Sequence, residues 1–184
     1  MPPHFNFRSA RRQRGFTLLE LLAVIAIVTV LASLVLGAGR RAREAGRIAR
    51  AKAELAALSV ALESYRRICG DYPQTDDEAR LLQSLIGKRD PLNTVIAGRA
   101  VIELARFATA GSRDPFADEA AVLDDPWGRP YVYVYKVPAS GWKNSAFVLY
   151  SIGADERDSS ELLTGGIVDP TPADNADNIY AGCN

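Results

Sequence analysis

Residues 14–39 read "RGFTLLELLAVIAIVTVLASLVLGAG", and from Phe16 onward this run of 24 residues carries a single charge, Glu20. A helix over it would extend about 36 Å, longer than the roughly 30 Å hydrocarbon core of a bilayer. A membrane-spanning helix over 16–39 is therefore expected. A conventional secretory signal core has only ~7–15 apolar residues, shorter than this run. The acid is the anomaly, because a carboxylate in mid-membrane costs roughly 2.5–3.5 kcal/mol.

On either side of the run the charge is segregated. Residues 1–15 hold Arg8, Arg11, Arg12 and Arg14 and no acid, and residues 38–52 hold six bases against Glu44. From residue 53 onward 20 acids face 12 bases, although the 184-residue chain sums to zero. An acidic globular part argues against nucleic acid as a partner. Because basic clusters flank the apolar run on both sides, counting bases leaves its orientation open.

Beyond the membrane the helix is expected to continue as an amphipathic shaft. Ile48, Leu55, Leu58, Leu62, Tyr65 and Cys69 recur at steps of 7, 3, 4, 3 and 4, one stripe of a helix, with Arg50, Lys52, Glu54, Glu63 and Arg66 elsewhere around it. Gly70 is the stop signal. A second, short helix follows, with Thr75 and Glu78 as its capping box and Leu81, Leu82, Leu85 and Ile86 as its apolar face. "TVIAGRAVIELARFA", residues 94–108, suggests another helix, against which Gly98 and the β-branched residues count.

The turn residues Pro126, Trp127 and Gly128 precede alternation over Tyr131–Val137, a β-strand; Ala146–Ile152 is a second. A polar turn joins them into an antiparallel hairpin, and a third strand is expected within the irregular tail. The fold class is α+β: a long N-terminal helix packed on a small antiparallel sheet, with a C-terminal loop region.

A short basic segment, then Gly15, then Phe16, Thr17, Leu18, Leu19 and Glu20 leading into an apolar helix, resembles the class III signal of type IV pilins and pseudopilins. "DYP", a T-x-x-E helix, "DPWGRPYVY", "YSIGADERD" and the late "NADNIY" extend the likeness to the major, G-type pseudopilins of type II secretion. The likeness omits residues 87–123, read as an insertion, and an enlarged loop at 158–173.

The resemblance implies the type IV pilin-like fold and a division into a leader, 1–15, an assembly helix, 16–39, and a periplasmic domain, 40–184. A prepilin peptidase would cut between Gly15 and Phe16 and methylate the Phe16 amine. The chain would cross the bacterial inner membrane once, N-terminus cytoplasmic. It would then polymerise with other pseudopilins, through an inner-membrane assembly platform, into the pseudopilus that drives protein export; the alternative is a pilin of a type IV surface pilus. Glu20, as fifth mature residue, would pair with the Phe16 amine of a neighbouring subunit, which gives the anomalous acid an assembly role.

The family also binds calcium in the loop after the second outer strand. Asp155, Asp158, Asp169, Asp174 and Asp177, with Asn175 and Asn178, crowd this tail, and calcium takes 6–8 oxygen ligands. By position Asp155 and Asp177 match the family's acids best; Asp158, Asp174 and the Ser151 carbonyl complete the expected set. Cys69 and Cys183 can join as a disulfide in an oxidising compartment or stay as two thiols. An enzyme is not expected: the sole histidine, His4, lies in the leader, and the chain has no nucleophile elbow, Cys/His pair or Walker loop.

Overall fold

In a computed structural model the chain forms two compact units, Met1–Arg43 and Glu44–Asn184. The structure describes residues 17–136, 144, 146–159, 162–163, 166–168 and 171–182, without the side chains of 34–38, 162–163 and 167–168. Helix α1 (Leu18–Cys69) begins in the first unit and ends in the second.

In the first unit α1 leaves its large apolar side chains bare: Leu18 and Leu19 are each 78% exposed, and Leu21 to Leu31 remain largely exposed. Among the described residues no helix is long and apolar enough to cross a membrane. The described side chains of this run extend from Leu18 to Ser33, about 24 Å of helix, and the side chains of the next five residues lie outside the description. The glycines at 37 and 39 do not interrupt the helix.

The second unit is built on the rest of α1. Ala51, Leu55, Leu58, Leu62 and Tyr65 are buried on the expected stripe and Cys69 is half-buried, while Ile48 stays exposed at its head. Gly70, at φ +91°, closes the helix, its N–H donating to the Arg66 carbonyl at 2.8 Å. Glu54, expected off the stripe, is buried: its carboxylate accepts from the Tyr131 hydroxyl at 2.6 Å and from Arg50 Nε at 2.7 Å.

Helix α2 (Glu78–Leu85) buries Leu81, Leu82, Leu85 and Ile86 as expected, but its cap differs. Asp77 is the N-cap, its side chain accepting from Arg80 N at 2.9 Å, whereas Thr75 Oγ1 accepts from Asp77 N at 3.0 Å, in a turn outside the helix. The carboxylate two residues later outcompetes the hydroxyl for the first free N–H groups.

The helix expected over 94–108 does not form. Only a 3-10 turn, Leu104–Arg106, is helical there. The backbone instead returns along the end of α2: Ile96 N donates to Lys88 O, Gly98 N to Gly87 O and Val101 N to Leu85 O, at 2.7–2.8 Å. These tertiary bonds satisfy a segment whose helical propensity is low.

Strand β1 (Ala108–Thr109) pairs with β2 (Leu123–Asp124), and β5 (Leu162–Leu163) with β6 (Ile167–Val168). The main sheet is antiparallel in the order β3 (Val132–Tyr135), β4 (Phe147–Ser151), β7 (Ile179–Tyr180). Val132 stands opposite Tyr150, and Ser151 opposite Ile179. The expected hairpin is therefore present, shorter at its ends, and the third strand comes from the tail; Val137 lies outside the described residues.

The tyrosines of the sheet reach acceptors just beyond α1 and in the tail. Tyr133 donates to Pro73 O at 2.9 Å, Tyr135 to Asp71 Oδ2 at 2.6 Å and Tyr150 to Asp158 Oδ2 at 2.7 Å. Burial, first of all, pushes the phenols of Tyr131, Tyr133 and Tyr150 far up, and those of Tyr72 and Tyr135 up to about 12. Unfolded phenols titrate near pH 10, so above that pH the unfolded chain binds fewer protons than the folded one. Stability is thus complete below about pH 10 and falls as pH rises toward the folded values, by up to ~1.4 kcal/mol per pH unit for each deeply buried tyrosine. Urea midpoints at pH 8 and 11 measure this; an unchanged midpoint at pH 11 would contradict it.

Candidate functional site

Two places gather the expected functional residues. The first is the head of α1. Gly15 and Phe16 lie outside the described residues. Glu20 is in the first turn, and its Oε2 accepts from both the N–H and the hydroxyl of Thr17 at 3.0 Å. Thr17 Oγ1 in return accepts from Glu20 N at 3.2 Å. This reciprocal pair is a capping box, so the carboxylate already has partners in its own chain. Its sequence signal is T-x-x-E at Thr17 and Glu20. The cap leaves one carboxylate oxygen for a further donor.

The second place is the tail, held by carboxylates that accept from backbone N–H groups. Asp177 Oδ2 accepts from Ala154 N at 2.6 Å and Asp155 N at 2.9 Å. This close seat requires Gly153, at φ +77°: a Cβ there would come within 2.5 Å of the Asp177 carbonyl oxygen and 2.7 Å of its Oδ2. Asp155 Oδ1 accepts from Arg157 N, Asp158 from the Tyr150 hydroxyl and Asn178 Nδ2, and Asp174 pairs with Arg157 at 3.7 Å. Asn175, fully buried, accepts from Ser159 N at 2.9 Å. Asp169 lies outside the described residues.

Behind this loop stands Asp125, which the sequence reading did not single out. It is 2% exposed; Oδ1 accepts from Trp127 N and Arg129 N, and Oδ2 from the Ser151 hydroxyl at 2.5 Å. Trp127 Nε1 donates to Glu44 of α1 at 3.2 Å, and the Arg129 guanidinium pairs with Glu156. Ser151 thus enters the site through its side chain as a link to the turn at 125–129.

Among the described residues no group of three or more His, Cys, Asp or Glu converges as a metal site. The loop nevertheless leaves two buried oxygens, Asp177 Oδ1 and Asn178 Oδ1, without a hydrogen-bond partner among the described residues. Buried oxygens are normally satisfied, so these two suit a hard cation, whose ligands are carboxylate and amide oxygens. Cys69 is a free, half-buried thiol among the described residues, and Cys183 lies outside them.

Two family models match the chain. Residues 10–36 match the prokaryotic N-terminal methylation motif, and residues 99–169 match protein G of the type II secretion system. The second match begins at residue 99, within the segment 87–123 read as an insertion. The chain is 30% identical to the type II secretion system core protein G of Pseudomonas aeruginosa over 149 residues, covering 80% of this chain and 88% of the relative. It is likewise 30% identical to the protein of that name from Escherichia coli, covering 84% and 90%. With the Vibrio cholerae protein of that name it shares 28% identity, covering 84% and 89%.

Proposed function

This chain belongs to the type II secretion system core protein G family, and on that premise we propose that it is cut after Gly15, methylated at Phe16 and polymerised from the inner membrane into a pseudopilus. The role is structural. The observation that carries the reading is the N-terminal methylation motif at residues 10–36 in the same chain as the protein G region, 99–169. Prepilin peptidase would be the processing partner, and other pseudopilins and an inner-membrane assembly platform the assembly partners. The relatives named above carry the type II secretion name, which favours this reading over a surface pilin.

The chain would cross the membrane once through residues 16–39, N-terminus cytoplasmic and second unit periplasmic. An intact-mass spectrum of the membrane-extracted protein should correspond to a chain starting at Phe16 and carrying one added methyl group. A mass that includes Met1, or one starting at Arg40, would exclude the processing.

Calcium is part of the same proposal. Asp177 and Asn178 would hold it through their unpartnered buried oxygens, with Asp155, Asp158, Asp174 and the Ser151 carbonyl as further ligands. Calcium would supply charge compensation and ordering of the tail loop, not chemistry. The disulfide between Cys69 and Cys183 would tie the tail to the end of α1.

A further inference from the structure

The second basic cluster of the chain has no role in the reading above. Arg40, Arg41 and Arg43 are exposed on α1, and none makes an ion pair among the described residues. Glu44, the acid beside them, accepts from Trp127 Nε1 instead. At i, i+3 and i, i+4 spacing Arg40, Arg43 and Arg47 repel one another, so the cluster weakens its own helix unless an anion answers it.

Its position says which anion. If the hydrocarbon core begins at Phe16, ~30 Å of helix ends near residue 36, and the three arginines stand about 6–10 Å further on. This is the headgroup layer, within reach of long side chains. At ~100° per residue the three fan over about 160° of the helix circumference. One protein face would meet a narrower stripe, whereas a lipid surface surrounds a helix on every side.

We propose that Arg40, Arg41 and Arg43 form a binding site for anionic phospholipid headgroups, holding the subunit at the outer boundary of the inner membrane. The inference rests on the membrane-spanning reading of residues 16–39. Each arginine offers a guanidinium fork to phosphate oxygens. The site opposes withdrawal of the helix from the bilayer, so extraction into a filament must break these contacts.

Native mass spectrometry of the full chain in detergent, offered phosphatidylglycerol or phosphatidylcholine, tests this. The parent should retain the anionic lipid about tenfold or more over the zwitterionic one. The triple variant R40Q/R41Q/R43Q should lose that preference, and R80Q, an exposed base on α2, should keep it; circular dichroism checks that the helix survives. Equal retention of the two lipids by the parent overturns the proposal. So does a triple variant that assembles poorly where the parent shows no lipid preference, which would assign the arginines to the acidic face of a neighbouring copy. Release of the parent from membranes by alkaline carbonate would overturn the spanning reading, and this inference with it. Retention with equal lipid counts overturns the inference alone.

Discussion

Glu20→Leu should insert into the membrane and be processed like the parent, yet yield at least ~100-fold less filament. Removing one partner of a buried charge pair costs about 3–5 kcal/mol, and each 1.4 kcal/mol is about tenfold in an association constant. Insertion itself becomes easier, because leucine avoids the cost of a carboxylate in hydrocarbon. The capping box complicates the interpretation, since Glu20 also accepts from Thr17 N and Oγ1. Two further variants separate the roles. Glu20→Gln keeps an acceptor for the cap and loses the charge; Thr17→Val loses the hydroxyl of the cap and keeps the charge. If the acid pairs with the Phe16 amine of a neighbour, Gln should fail like Leu, and Val should still assemble. Normal filaments from Glu20→Gln, counted by electron microscopy of sheared fractions, would reduce the acid to a helix cap.

Gly153→Ala carries the second large effect. An alanine held at φ +77° costs about 1–2 kcal/mol, and its Cβ would collide with the carbonyl and carboxylate oxygens of Asp177. Displacing Asp177 also breaks its bonds from Ala154 N and Asp155 N. The sum is roughly 3 kcal/mol or more, a fall in melting temperature of about 8 °C or more. If the folded tail binds calcium and the unfolded chain does not, calcium should stabilise the parent by RT ln(1 + [L]/Kd), about 2.7 kcal/mol at a hundredfold excess over Kd, and so raise its melting temperature. Gly153→Ala, Asp177→Ala and Asp155→Ala should abolish that rise. Asp118→Ala, whose residue pairs with Arg113 away from the tail, should not. A parent whose melting curve is the same in calcium and in EGTA would show that Asp177 Oδ1 and Asn178 Oδ1 are not metal ligands.

The signature T-x-x-E occurs twice in this chain, and its two outcomes show where local sequence suffices. At Thr17 and Glu20 it forms a capping box, because no better acceptor competes. At Thr75 and Glu78 it does not, because Asp77 lies between them and takes the cap. The stripe from Leu55 to Tyr65 was legible because a helix face repeats with a fixed period. Glu54 was not: its burial depends on Tyr131, 77 residues away, supplying a hydroxyl. Residues 94–108 failed for a related reason, since their hydrogen bonds go to residues 85–88, and no local pattern encodes that. In the tail the acids themselves were visible, but not their use. Asp177 seats on two backbone N–H groups 22 and 23 residues away, and Asp125 became a hub only once β4 brought Ser151 to it.

The segment from Trp127 to Tyr131 is fastened to α1 at two points, Trp127 to Glu44 and Tyr131 to Glu54. Ten residues of helix, about 15 Å, separate the two anchors. A pull along the helix axis therefore strains both fastenings together, whereas two neighbouring anchors could be peeled off one after the other. This spacing turns two ordinary hydrogen bonds into a joint that shares tension, and the joint should yield as one event under force.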